Sequence, residues 1–173
     1  MADPGIEALR PDHDLAGFTC GVPVLDSWVK TRVARNEVTG DSRTFVLVEG
    51  GGVAGFHALS TTSAARVGLT GPLPRNAPDP VPLLLLGQLA VASDRHGGGI
   101  GRRLLADACW RALDIARNAR FRALATHPID EAAVRFYGRF GFVAVPDAVP
   151  RLMVLPIGRI AEAVAGRDAG RCR

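Results

Sequence analysis

The sequence lacks the features that mark a membrane, secreted or metal-binding protein. Its three cysteines, Cys20, Cys109 and Cys172, lie far apart without CxxC spacing, which argues against a disulfide framework and a zinc site. The longest apolar run, VPLLLLGQLAVA, is interrupted and too short to cross a bilayer. The start, MADPGIEALRPDHD, has neither the basic nor the apolar region of a secretory signal. These absences predict a cytoplasmic protein without a metal ion.

Lysine and tyrosine are also scarce. The chain has one tyrosine, Tyr137, and one lysine, Lys30, so 20 of its 21 basic residues are arginines. The net charge of +4 and the isoelectric point near 9.6 are typical of a protein with an anionic partner, but also of a basic domain without one. Arginine suits phosphate through its bidentate fork, although arginine-rich codon usage explains the same bias. Composition alone therefore leaves the partner open.

Hydrophobic periodicity predicts one α/β domain over residues 1–173, of which 47% are hydrophobic. VPVLDSWVKTRVARNEV predicts a helix that ends at Gly40, and two β-rich segments predict a hairpin that turns at Gly50–Gly52. After a proline-rich loop, LLLLGQLAVA predicts a buried central strand. Further predicted elements are a helix from about Ile100 to Ala119, the strand FRALATH, the helix EAAVRFYGRFG, the strands FVAVP and RLMVLPI, and a frayed, basic tail over residues 158–173.

Four glycines between Gly97 and Gly101 stand at the entrance of the third predicted helix, in RHGGGIGRRLL. A helix N-terminus presents unpaired amides and partial positive charge, and glycines let a large anion approach those amides. Arg102 and Arg103 add charge, so the pattern predicts a phosphate site, with a plain turn as the alternative. The spacing matches neither the GxxxxGK[ST] loop nor the GxGxxG dinucleotide fingerprint.

This stretch resembles the pyrophosphate loop of the GNAT acyltransferases, Q/R-x-x-G-x-G/A, with His96 where glutamine or arginine is usual. The resemblance implies a mixed sheet of about six to seven strands flanked by about four helices, with a core over residues 9–157. It also implies that the backbone of Leu89, Ala90 and Val91 pairs with the pantetheine arm of acetyl-CoA. The residues it assigns to the pyrophosphate are His96, Gly97, Gly98, Gly99, Ile100, Gly101 and Arg102.

The segment EAAVRFYGRFGFVAV continues the resemblance to the GNAT acyltransferases. Phe136 and Phe140 are one helical turn apart and are expected to face the core. Tyr137 is about 100° round the helix from Phe136 and need not share that burial. The resemblance implies that Tyr137 protonates the departing coenzyme A thiolate. A tyrosine at the core edge without a catalytic role is the alternative.

The acceptor chemistry follows from the pKa of the amine. An α-amine has a pKa of about 7.7–8.0, and an adjacent ester lowers that pKa. Such an acceptor therefore needs no strong base. A lysine acceptor, with a pKa of about 10.4, would need one far more. His127, Asp130 and Glu131 lie near the expected region, but none is a compelling base.

The front half of the chain, from FTCGVPVLDSW to FHALSTTS, resembles one GNAT branch: toxins paired with ribbon-helix-helix antitoxins. The resemblance covers about Leu9–Ile157. It implies acetylation of the α-amine of aminoacyl-tRNA, a block of translation, a separate antitoxin that binds operator DNA, and a homodimer. Positions that carry it include Phe18, Gly21, Leu25, Asp26, Trp28, Asn36, Gly40 and Arg43–Val46.

Four basic residues are candidates for tRNA phosphate: Lys30, Arg32 and Arg35 on the polar side of the first helix, and Arg75 in the proline-rich loop. A solvated basic face explains any one of them almost as well. Two other functions stay open at this point. One is acetylation of a small amine or a protein N-terminus, and the other is a non-enzymic regulator that keeps the fold to bind a partner.

Overall fold

The computed structural model describes residues 3–71 and 73–171. Within these ranges seven strands form one sheet in the order β1-β2-β3-β4-β5-β7-β6. The helices are α1 (Pro23–Thr31), α2 (Val33–Thr39), α3 (Ile100–Ile115), α4 (Glu131–Gly138) and α5 (Ile157–Arg171). The strands are β1 (Ile6–Ala8), β2 (Arg43–Glu49), β3 (Gly52–Ala64), β4 (Val81–Val91), β5 (Ala123–Thr126), β6 (Val143–Ala144) and β7 (Met153–Pro156).

The chain divides into two compact units. The first comprises residues 1–60 and 86–108, and the second comprises residues 61–85 and 109–173. In the second unit β4 and β5 pair in parallel, with Leu84 opposite Leu124, while β7 pairs antiparallel with both β5 and β6. No helix within the described ranges is long and apolar enough to span a membrane.

The first unit is built on the hairpin of β2 and β3. The turn lies where the glycines predict it, because Gly50 and Gly51 have φ values of 65° and 82°, which other residues rarely adopt. Strand β1, which the sequence pattern did not predict, pairs antiparallel with β2. Two buried apolar clusters fill this unit, one around Val46 and Phe56 and one around Leu47 and Leu104.

The first predicted helix is two helices, α1 and α2, interrupted at Arg32 (φ −111°, ψ −30°). The Thr31 hydroxyl donates to the Ser27 carbonyl at 2.7 Å, a bond from a side chain to the preceding turn that tends to bend helices. The predicted end at Gly40 is confirmed, since Gly40 caps α2 with a φ of 77°.

The second unit has its own apolar cluster, which includes Leu83, Leu152 and Val154. Residues up to Arg171 belong to α5, a helix that the sequence pattern did not predict in the segment expected to form a tail over residues 158–173. Alanine-rich sequence favours the helix, and Ile160 is only 2% exposed. Cys172 lies outside the described residues.

Candidate active site

The glycine loop connects β4 to α3 within the first unit. A short 3-10 turn, Ser93–Arg95, follows the strand, and the glycines then lead to Ile100 at the start of α3. The imidazole Nε2 of His96 lies 2.9 Å from the Val91 carbonyl oxygen, so this side chain braces the loop against the end of the strand. The residue that departs from the GNAT pattern therefore contacts the end of β4.

The start of α3 exposes backbone amides. The amide of Arg103 donates to the Gly99 carbonyl at 3.1 Å, which places Gly99 at the helix start. The amides of Ile100, Gly101 and Arg102 come before Arg103, the first residue whose amide donates within the helix, so they point out of the helix end. This arrangement fits a diphosphate, which requires several converging N–H donors.

The three consecutive glycines differ in what the fold requires of them. Gly97 and Gly99 have φ values of 82° and 77°, so a side chain at either position would strain the backbone. Gly98 has no left-handed φ, and a Cβ added there would meet only the Arg95 carbonyl oxygen at 3.5 Å, an ordinary contact. Because neither conformation nor packing requires glycine at position 98, its missing side chain leaves open space over the loop.

The two arginines at the helix start have different surroundings. Arg102 is exposed. Arg103 binds the carboxylates of Asp3 at 2.9 Å and Glu49 at 2.6 Å. The hydrogen bond with Asp3, and then the one with Glu49, hold the pKa of Arg103 above its ordinary value against the effect of desolvation. The sequence pattern counts both side chains as charge for the anion, but Arg103 is already paired.

The end of β4 carries the residues predicted to face the pantetheine arm. Ala90 is buried, whereas Leu89 and Val91 are half-buried. A Cβ added at Gly55 would lie 2.9 Å from the Ala90 carbonyl oxygen and 2.9 Å from Leu104 Cδ1. Gly55 thus lets β3 approach both β4 and α3 closely. The pairing of Leu89, Ala90 and Val91 with pantetheine stays a prediction.

Tyr137 lies in α4 of the second unit, and its burial corrects an expectation. The tyrosine is 7% exposed, whereas Phe136 and Phe140 are only half-buried. The Tyr137 ring is 5.2 Å from that of Phe136 and 5.3 Å from that of Phe142. The aromatic contacts of α4 with Phe142 therefore turn the tyrosine inward.

The surroundings of Tyr137 control its protonation. Desolvation by burial raises the pKa of the phenol, and a hydrogen bond with the side chain of Thr126 acts in the opposite direction. The net result is a pKa above the ordinary value, so the phenol keeps its proton at neutral pH. A protonated phenol can act as an acid toward a thiolate leaving group.

The three candidate bases all have structural contacts. His127 Nδ1 lies 2.9 Å from the Arg151 carbonyl oxygen, and Glu131 accepts from the Arg151 guanidinium at 2.5 Å. Asp130 caps α4 by accepting from the Ala133 amide at 2.7 Å. These contacts favour a reaction without a dedicated base. Within residues 3–71 and 73–171, no group of three or more His, Cys, Asp and Glu side chains is placed to hold a metal ion.

The predicted phosphate-binding side chains are accessible. Lys30, Arg32 and Arg35 are exposed on α1, at the break and on α2, and none forms an ion pair within 4.0 Å among the described residues. Arg75 is exposed in the proline-rich loop of the second unit, where its carbonyl accepts from the Arg122 guanidinium at 2.8 Å.

Two features of the first unit were not predicted from the sequence. One is a buried pair in which His57 Nε2 lies 2.8 Å from an Asp107 carboxylate oxygen, with both side chains 0% exposed. Asp107 lies at helical spacing from the apolar Ile100 and Leu104, and this polar residue among apolar positions was the available signal. The other is an open cleft of about 410 Å³ beside the hairpin glycines and the 3-10 turn Ser93–Arg95. Its lining includes Asp14, Thr19, Glu49, Gly50–Gly52, Ser93 and Arg95.

Residues 40–144 match the acetyltransferase (GNAT) domain family. The chain belongs to this family. This GNAT acetyltransferase is 39% identical to a tRNA-acetylating toxin of Mycobacterium tuberculosis (strain H37Rv), over 82% of this chain and 86% of the toxin. A crystal structure of a tyrosine-to-phenylalanine mutant of KacT matches it with a TM-score of 0.85 and 25% identity, over 91% of this chain and 97% of that chain.

A chain of the crystal structure of the KacTA–DNA complex also matches this acetyltransferase. The TM-score is 0.78 at 25% identity, over 93% of this chain and 98% of that chain. The GNAT fold predicted from the glycine loop is thereby confirmed, with seven strands and five helices in the described residues.

Proposed function

We propose that this acetyltransferase is a toxin that transfers acetyl from acetyl-CoA to the α-amine of aminoacyl-tRNA and thereby blocks translation. The observation that carries the proposal is the 39% identity to a tRNA-acetylating toxin over 86% of that toxin's length. The exposed Lys30, Arg32 and Arg35 support it, because a tRNA acceptor requires accessible positive charge.

The donor site is assigned to the start of α3 and the end of β4. The amides between Gly97 and Arg102 bind the diphosphate of acetyl-CoA, with the Arg102 guanidinium as an additional charge. The polar backbone groups of Leu89, Ala90 and Val91 bind the pantetheine arm. The open space over Gly98 supports this assignment, since a diphosphate must approach the backbone closely.

The reaction is assigned one acid and no dedicated base. The neutral acceptor amine attacks the acetyl carbonyl, the C–S bond breaks, and the thiolate takes a proton from the phenol of Tyr137. Solvent removes the proton from the new amide nitrogen and returns one to the phenolate. An aminoacyl ester supports this scheme, because its α-amine is substantially neutral at physiological pH.

The partners follow from the same proposal. We infer a separate ribbon-helix-helix antitoxin, operator DNA bound through that antitoxin, a homodimer, and action in the cytoplasm, where charged tRNA is found. The KacTA–DNA complex supports an assembly with DNA, since a chain of that complex is 25% identical to this one. Toxicity on expression that disappears when the neighbouring antitoxin reading frame is supplied would test the pairing.

The decisive experiment is incubation of the protein with labelled acetyl-CoA and total charged tRNA. We expect label on the RNA that is lost when the aminoacyl ester is hydrolysed, and recovery of an N-acetylated amino acid. Identification of that amino acid names the acceptor tRNA. Label that appears only on an added small amine or a peptide N-terminus would replace the proposal with the alternative acceptor class.

A further inference from the structure

The starting observation is the buried contact between β3 and α3. His57 Nε2 lies 2.8 Å from an Asp107 carboxylate oxygen, and neither side chain is exposed. The imidazole also stacks on Phe45 of β2, with ring centroids 5.1 Å apart. Neither His57 nor Asp107 belongs to the glycine loop, and the proton transfer assigned to Tyr137 involves neither residue.

The same face of α3 has a second anchor one turn earlier. Arg103, four residues before Asp107, binds the carboxylates of Asp3 and Glu49. The backbone amide of Asp3 in turn donates to the other Asp107 oxygen at 3.2 Å. One face of the helix is therefore fixed by polar contacts to β3, to β2 and to the N-terminal segment.

Stability alone does not account for such a pair. A buried ion pair or charged hydrogen bond is often no better for stability than apolar side chains of similar volume, because desolvation offsets the attraction. Apolar contacts, however, allow a helix to slide by a fraction of an ångström, whereas hydrogen bonds fix distances and directions. The polar contacts thus define one position of α3 along its own axis.

We infer that His57 and Asp107 are positioning residues that hold the start of α3, and with it the amides of Ile100–Arg102, where the diphosphate of acetyl-CoA binds. Arg103 contributes to the same anchoring through Asp3 and Glu49. This inference rests on the donor site assigned above. Loss of the anchoring misplaces the amides without removing any group that touches the donor.

The test compares two variants that differ in what they preserve. His57→Leu/Asp107→Ala keeps the summed side-chain volume close to that of the native pair and removes the imidazole and the carboxylate together. Asp107→Asn keeps the shape, and its amide can still accept from the Asp3 amide and donate to the imidazole, which binds as donor or acceptor. Val46→Ala, in the core of the same unit, controls for loss of stability alone.

The measurements are calorimetric titration with acetyl-CoA and amide hydrogen exchange without it. We expect His57→Leu/Asp107→Ala to unfold cooperatively, to raise the acetyl-CoA Kd by about tenfold to a hundredfold, and to exchange faster at the Arg103 amide, whose bond to the Gly99 carbonyl closes the first turn of α3. Asp107→Asn should stay within about threefold of the native Kd. Val46→Ala should lower the unfolding midpoint and leave the Kd unchanged.

Titration of Gly98→Ala with acetyl-CoA in parallel distinguishes failure of the assigned donor site from failure of the positioning role of His57 and Asp107. If Gly98→Ala weakens acetyl-CoA binding while His57→Leu/Asp107→Ala does not, the donor site stands and the positioning role is overturned. If Gly98→Ala has no effect, the assigned donor site itself fails. If Val46→Ala raises the Kd as much as the double variant does, general destabilisation explains the result and the positioning role is again overturned.

Discussion

The ring of Tyr137 lies 5.3 Å from the ring of Phe142 and is tilted by 55°. The contact uses the ring of the tyrosine and leaves its hydroxyl to bond with Thr126. Packing and the proposed proton donation therefore involve different parts of one side chain, so a single substitution can separate them.

Tyr137→Phe keeps the ring contacts and removes only the hydroxyl. We expect the free energy of unfolding to fall by about 1–3 kcal/mol, because the buried Thr126 side chain loses its hydrogen bond with the phenol. Acetyl transfer to charged tRNA should fall by about 10²- to 10⁴-fold, the usual contribution of a general acid. The acetyl-CoA Kd should not change. Phe140→Leu, which disturbs only packing just after α4, is the control and should keep most of the rate of transfer. Undiminished transfer by Tyr137→Phe would refute the role of Tyr137 as the acid.

Gly98→Ala tests whether the loop needs bare backbone for a ligand. Because Gly98 has no left-handed φ and no close neighbour, alanine should leave the fold intact or stabilise it by about 0.4–1 kcal/mol through the unfolded state. The acetyl-CoA Kd should nevertheless rise by about tenfold or more, since a methyl group would occupy the space of the diphosphate. Gly68→Ala, equally open and also without a left-handed φ, is the matched control and should bind acetyl-CoA normally.

Charge reversal of Lys30, Arg32 and Arg35 to glutamate tests the proposed tRNA surface. We expect transfer to charged tRNA to be abolished while the acetyl-CoA Kd is preserved. The slope of log affinity for tRNA against log salt should become shallower by about 0.7–0.9 for each phosphate that the protein no longer neutralises. Reversal of Arg117, Arg120 and Arg139, which are exposed in the second unit, controls for net charge. Equal loss in both triple variants would mean that the site on α1 and α2 has no special role.

Asp26 links α1 to the segment before it and should make the fold sensitive to acid. Its carboxylate accepts from the Cys20 amide at 2.7 Å and from the Thr19 hydroxyl at 2.9 Å. The bond from the Cys20 amide is the main reason that the pKa of Asp26 lies below the ordinary value of an aspartate.

A carboxyl group whose pKa is lower in the folded than in the unfolded state stabilises the fold at neutral pH, and this stabilisation is lost in acid. The contribution is fully present above the unfolded-state pKa of about 3.9 and is lost as the pH falls below it through the lower folded-state value. Asp26→Asn should therefore be less stable than the native protein at pH 7, and the difference should shrink as the pH falls below about 4. Urea midpoints across this range measure it. If the stability difference between Asp26→Asn and the native protein were the same at low pH, the stabilising role of the Asp26 carboxylate would be contradicted. Asp114→Asn, on the exposed surface of α3, serves as the control.

The hairpin glycines, the glycine loop and the aromatic helix could be placed from the sequence because their signals are local. Gly50, Gly51 and Gly97 have positive φ values in turns that are formed by neighbouring residues in the chain, so the local sequence predicts them. The break at Arg32 and the helix at the C-terminal end were not predicted. In both places weak local preferences compete, and contacts such as the burial of Ile160 decide the outcome.

The candidate site was only partly predictable for the same reason. The sequence by itself determined the family, the position of the glycine loop and the one available phenol, because these are fixed by residue type and spacing. Only the tertiary structure decided that Tyr137 is more buried than Phe136, that Arg103 is neutralised by Asp3 and Glu49, and that His57 meets Asp107. Burial and ion pairing depend on which distant segments come into contact, and residues 50 positions apart in the chain carry no local signal of their contact.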